Sequence, residues 1–150
     1  ATTEIYTLPY TTLFRSFLGS EFAYEDLSSQ EIEKYTYKYL GVDTVNGEET
    51  FKVEQRPQYK HSGYTRVIVW YDQSEYRPQK IVFYDRKDSK LKTLMYYDYK
   101  QYKGKYWRAL RSHMINHQTK KETELTFKEF DFNVAFKDSD FNHRSLKRAK

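Results

Sequence analysis

Residues 65–84 read TRVIVWYDQSEYRPQKIVFY, and this stretch decides the fold class. Thr65-Arg66-Val67-Ile68-Val69-Trp70-Tyr71 is the most β-branched run in the chain, and Lys80-Ile81-Val82-Phe83-Tyr84 has the same character. Such side chains fit a pleated surface better than a helix, where their χ1 freedom is lost. Between the two runs, Asp72 to Pro78 is polar and ends in proline, as a turn does. Strands joined by so short a connection are antiparallel neighbours. Alternation then divides the second strand into two faces, one bearing Lys80, Val82 and Tyr84, the other Ile81 and Phe83. The face without the lysine is the expected interior, and the same rule, applied opposite Arg66, selects Val67 and Val69.

Working outward, the period of two persists almost to the C-terminus. Residues 33–40 form an expected strand ended by Gly41, Asn46-Gly47 is a tight hairpin pair, and residues 51–55 return toward Pro57. After Tyr84, the expected strands are 91–101, 106–117 and 123–132, separated by polar turns at 85–90, Lys103-Gly104 and Thr119-Lys120. The expected fold is therefore mainly β, a curled antiparallel meander of about seven strands. A short helix is expected near residues 24–29, with Ser20 as its cap and Glu21, Glu25 and Asp26 favouring its positive end. A sheet with one apolar face must be closed, covered or filled. Extending the face rule adds Leu94, Tyr96, Leu110, Met114, Leu125 and Phe127 to the interior set, and methionine suits a cavity that admits flexible chains.

Composition agrees. Hydrophobic content is only 38%, yet 19% of residues are aromatic, with 16 Tyr, which describes strands whose faces are half wetted. No run approaches the roughly 18 apolar residues of a membrane helix. The absence of cysteine removes thiol nucleophiles and zinc–thiolate clusters from consideration, and is compatible with an oxidising compartment. The net charge is +5, much of it in Arg144, Lys147, Arg148 and Lys150 at the end of the chain.

Catalytic signals are weak. His113 and His117 are four apart, a metal-like spacing on a helix, but on a strand they lie about 13 Å apart, too far to share an ion. Asp72 and Asp85 each begin a turn, which accounts for them, and Glu25-Asp26 is read as helix capping. No nucleophile elbow is present. No cofactor, metal or covalent chemistry is expected. Tyr35-Thr36-Tyr37-Lys38-Tyr39 and Tyr96-Tyr97-Asp98-Tyr99-Lys100 interleave aromatics with lysine, as single-strand nucleic-acid binders do. A wetted strand shows the same pattern, and no nucleic-acid partner is expected.

One further block has no explanation in strand physics: Gly19-Ser20-Glu21-Phe22-Ala23-Tyr24-Glu25-Asp26-Leu27. It resembles the G-S-D-F-x-Y-E-D-L signature of the LolA-like outer-membrane lipoprotein-sorting proteins. Trp70-x-Asp72 with Pro78-x-Lys80, Tyr84-Asp85, Lys92, Tyr99, Trp107, Met114-x-Asn116, Thr123-x-Leu125, Phe141 and Leu146 resemble that family's later positions, in order. Glu21 replaces the family's Asp, and Lys87-Asp88-Ser89 stands where its turn glycine usually falls. The family's early strands and covering helix have no counterpart here. Residues 1–16, ending in PYTTLFRS, resemble a translated sequencing adapter and are read as an artefact segment, leaving 17–150 as a truncated half-barrel domain.

The resemblance implies a periplasmic carrier that binds lipoprotein or lipid acyl chains in a hydrophobic half-barrel and delivers them toward the outer membrane. It also implies an inner-membrane transporter and an outer-membrane acceptor as partners, and an export signal in the parent protein. The expected lipid-binding residues are Val67, Val69, Ile81, Phe83, Leu94, Tyr96, Leu110, Met114, Leu125 and Phe127. The alternative reading is a non-catalytic envelope module that docks partners through its sheet.

Overall fold

A computed structural model describes residues 16–28 and 31–132. The segment read as an adapter artefact lies outside these residues except for Ser16, as do Phe141, Leu146 and the basic tail.

Seven strands form one open, curled antiparallel sheet in chain order: β1 (Tyr35–Val45), β2 (Glu48–Pro57), β3 (Arg66–Asp72), β4 (Pro78–Tyr84), β5 (Lys90–Tyr102), β6 (Tyr106–Asn116) and β7 (Glu122–Thr126). The deciding hairpin forms as expected, with Val67 opposite Phe83 and Val69 opposite Ile81. Asn46 and Gly47 both take positive φ (52° and 83°), the conformation that a two-residue hairpin with right-handed twist requires.

Two boundaries differ from expectation. Gly41 does not end β1; the register shifts between Tyr39 and Gly41, so the strand absorbs a bulge and continues to Val45. β7 stops at Thr126 rather than 132. Beyond it Phe130 and Phe132 pack on Tyr102, and Phe132 stacks on Tyr106 at 5.2 Å, so aromatic packing replaces strand pairing.

The main core lies on the expected face. Val67, Val69, Ile81, Phe83, Leu94 and Met114 are buried there together with Phe22, which arrives from the N-terminal segment. The opposite face is not simply wet, as the position of Lys80 led one to expect. Val45, Ile68, Trp70 and Val82 form a second buried cluster. Lys52 and Lys80 lie over the Trp70 ring at 5.0 and 4.6 Å, and Arg66 lies over Tyr84 at 3.6 Å. The side chains of these cations cover part of the cluster, with their charged ends resting on the rings.

The hairpin between β3 and β4 owes its shape to Asp72. Its Oδ1 accepts from the Ser74 and Glu75 backbone N–H groups and the Ser74 hydroxyl; its Oδ2 accepts from Arg77 N, Arg77 Nε and Gln79 Nε2. Burial alone would raise its pKa, but these donors outweigh it and hold the carboxyl far below the usual carboxylate range. Asp72 is thus a turn residue, as expected, and a fully engaged one.

Candidate functional site

Residues 16–28 form a strap across the main-core face. Leu18 and Gly19 both take positive φ (51° and 76°), which reverses the chain; glycine is suited to the second position because it has no Cβ to clash. The Phe17 N–H then donates to Phe22 O at 2.6 Å, and Ser16 bridges Ala23. The helix α1 (Tyr24–Leu27) is one turn long. Ser20 does not cap it. Its Oγ accepts from Phe22 N and donates to Phe17 O, organising the turn, while the Asp26 carboxylate accepts the Ala23 N–H at 2.7 Å.

The capping role assigned to Glu25 and Asp26 is therefore incomplete. Asp26 is buried and pairs with Lys92, whose side chain is only 5% exposed, and it also accepts from the Tyr64 hydroxyl at 2.6 Å. Glu25 accepts from the Tyr59 and Ser62 hydroxyls at 2.6 and 2.7 Å and from Gly63 N at 3.0 Å. At the strap's other end, Glu21 N donates to Thr123 Oγ1, and Glu21 Oε2 accepts from Asn116 Nδ2 at 2.7 Å. Buried charges persist only when paired and hydrogen-bonded, so these contacts fix the strap in one register. Lys92, Asn116 and Thr123 are thus structural partners of the strap; their separation from it in sequence, up to 102 residues, hid the pairing.

Beneath and beside the strap lie two cavities of about 210 and 420 Å³. Both border Asp26, Pro78 and Tyr96, which makes them compartments of one trough. The smaller is lined by Val67, Val69, Ile81, Phe83 and Tyr96. The larger is lined by Leu94, Tyr96, Leu125 and Phe127, with Leu27, Tyr99, Trp107 and Ala109. Met114 lies fully buried in the core beneath them rather than in the trough wall.

Leu110 is half-buried and lines neither compartment; Trp107, Ala109 and Ser112 do. The cause is Asp98, which takes a positive φ of 58° and leaves the pair between itself and Leu110 unformed. Alternation skips there on both strands, so Tyr99 joins Tyr96 at 6.4 Å between ring centres, while Tyr97 carries Arg111 outside. A lone Asp inside an aromatic strand was the available signal.

The trough's tyrosines stay neutral. Burial and the nearby Asp26 charge push Tyr96 up to about 12, and the same causes raise Tyr64 further. Burial, then its bond to Glu25, raises Tyr59. His113 and His117 line neither compartment: His113 meets Glu122 at 3.1 Å and His117 meets Thr93 at 2.7 Å. Among the described residues no group of three or more His, Asp or Glu is placed to hold a metal ion.

A family model described as an uncharacterized protein matches residues 5–148. Comparison with curated proteins gives no match. Among solved structures, a putative outer membrane lipoprotein-sorting protein domain from Vibrio parahaemolyticus is 50% identical with a TM-score of 0.86, over 93% of this chain and 60% of that one. A DUF1329 family protein from Desulfovibrio piger is 22% identical with a TM-score of 0.83, over 91% and 57%. A LolA superfamily protein from Nitrosomonas europaea is 21% identical with a TM-score of 0.66, over 85% and 60%; these last two likenesses show the fold. The chain spans about three fifths of each of these structures. It belongs to the family that the matching model describes, and its fold is that of the LolA-like outer-membrane lipoprotein-sorting proteins.

Proposed function

We propose that the trough under the strap holds the acyl chains of a lipoprotein or lipid, and that the parent protein carries them through the periplasm toward the outer membrane. The observation that supports this reading is the trough itself, an apolar channel bordered by eight of the ten residues chosen from sequence and left unfilled by side chains. Its aliphatic and aromatic lining is edged by charged groups that already have partners: Glu25 and Asp26 are spent in holding the strap, Glu75 accepts from the Trp107 indole and Arg77 pairs with Asp72. Each methylene buried there contributes about 0.8 kcal/mol, so a long acyl chain gains on the order of 10 kcal/mol without any bond being made. Transfer then consists of opening and release, driven by a membrane transporter on one side and an acceptor on the other. No catalytic group is required.

Titration with a fluorescent long-chain acyl probe tests the reading. Phe127 is 41% exposed, so Phe127→Asp leaves the fold intact while placing a charge in the wall. The expected result is saturable binding to the wild type and at least a roughly tenfold loss in Phe127→Asp, because a bound acyl chain must then cover an unpaired charge. Equal binding by both proteins overturns the choice of trough. Native mass spectrometry of the full-length parent, purified gently from an envelope extract, identifies the cargo.

A further inference from the structure

At one end of the sheet the strap faces three connections: the loop before β3, the turn after β4 and the turn before β7. They enclose a separate cleft of about 510 Å³ bordered by Arg86 and Lys121, with Lys92 and Asn116 at its floor. We propose that this cleft binds a phosphate ester, with Arg86 and Lys121 gripping the anion.

Two cations at the rim are unspent among the described residues. Arg86 gives one N–H to Lys60 O at 3.3 Å and pairs with no carboxylate among the described residues; Lys121 has no side-chain partner there. Glu21, the one carboxylate among the described lining residues, is held by Asn116, and Lys92 is neutralised by Asp26. With the Lys92–Asp26 pair set aside, Arg86 and Lys121 against Glu21 leave the described lining positive.

The surroundings strengthen this. Lys60, Lys87, Lys90 and Lys120 occupy the same end of the sheet. Its acids are committed: Asp85 accepts from the Lys87 and Ser89 backbones and from Gln118, and Asp88 pairs with Arg66. Glu122 meets His113 on the other face. The positive field registers on His117, whose pKa is lowered by burial and then by Lys90 and Lys120. Clustered charge of one sign raises the local concentration of the opposite ion.

A guanidinium fork matches phosphate oxygens in geometry, and an ammonium adds a mobile point charge. The volume exceeds what a bare phosphate fills and lies within the range of small-molecule sites, so the anion brings an organic group with it. Two sources share this chemistry: a phospholipid headgroup and a water-soluble phosphate ester. This site is distinct from the acyl-chain trough, since Arg86 and Lys121 line the cleft and neither compartment of the trough, and the soluble ester has no chain to bury.

The experiment is calorimetric titration of the 150-residue chain, in one arm with glycerol 3-phosphate, in the other with monomeric dihexanoyl phosphatidic acid, each against Arg86→Gln/Lys121→Gln. Both positions are exposed, so the double variant is expected to melt like the wild type. Saturable one-site binding in either arm, weakened roughly tenfold or more in the variant, is the expected result. Tight binding of the lipid alone assigns the headgroup, and equal binding assigns the soluble ester. Absence of saturation in both arms, or binding that the variant leaves unchanged, overturns the proposal.

Discussion

The two apolar clusters of this sheet are buried to nearly the same degree and finished in different ways. Val69 is 1% exposed on the strap face and Val82 is 4% exposed on the other. Burial therefore does not tell a cargo face from an ordinary one; the kind of cover does. On the strap face the cover is a separate piece of chain, narrower than the sheet, pinned by buried polar contacts and flanked by an open trough. On the other face the cover is made by the side chains of the sheet itself, lysine and arginine stems laid over Trp70 and Tyr84. Among the described residues, the trough lies on the strapped face.

The contrast is broken most severely at Phe22, the strap's side chain in the core, 2% exposed. Phe22→Ala is expected to cost about 3–5 kcal/mol in urea unfolding, whereas Val82→Ala on the other face costs about 1–2 kcal/mol. Equal losses would mean that the strap contributes no more than a self-covered strand position. The Lys92–Asp26 pair comes next. Lys92→Met leaves the Asp26 carboxylate buried with only the Tyr64 hydroxyl and Ala23 N–H as partners, and is expected to cost about 3 kcal/mol. Adding Asp26→Leu recovers part of that loss, because the stranded charge goes with it, and a double-mutant cycle measures the coupling.

Asp72 gives a smaller effect with a pH signature. Its pKa is depressed in the folded state, so its contribution is present above the unfolded value near 3.8 and is lost as pH falls below it. Asp72→Asn is expected to cost about 1–3 kcal/mol at neutral pH, with the gap from wild type closing as the solution is acidified below about pH 4. A gap that stays constant down to pH 2 would show that shape rather than charge matters at this turn.

Much of the covered face was readable because one lysine broke the symmetry of an apolar strand. Lys80 pointed away from Ile81 and Phe83, and the pairing of Val67 and Val69 with them carried the choice across to β3. The readable part ended where alternation did. Asp98 shifts the phase on β5 and β6, so Leu110 was chosen in place of Ala109 and Trp107. The strap's anchors were invisible for a different reason: Glu25 and Asp26 look like any helix-start acids until the fold brings Tyr59, Tyr64 and Lys92 to them. The rule that a lysine marks the wet face also hid the second cluster, since Val82 is buried on the very face that Lys80 was taken to mark as solvent.

The mildest test lies on that self-covered face and sharpens the comparison most. Lys52→Met and Lys80→Met keep the roof over Trp70 and remove only its charge. If the stems do most of the covering, each change costs no more than about 0.5–1 kcal/mol, the scale of a surface cation–π contact. Trp70 fluorescence should move little, because its indole N–H still donates to Asp43 at 2.9 Å and the ring is 5% exposed. A methionine roof also leaves the trough untouched, since neither Lys52 nor Lys80 lines it. Acyl-probe binding should therefore match wild type in both variants. A gain in binding would show that the cations, rather than the packing, keep this face closed, and the distinction between a strapped and a self-covered surface would then rest on charge alone.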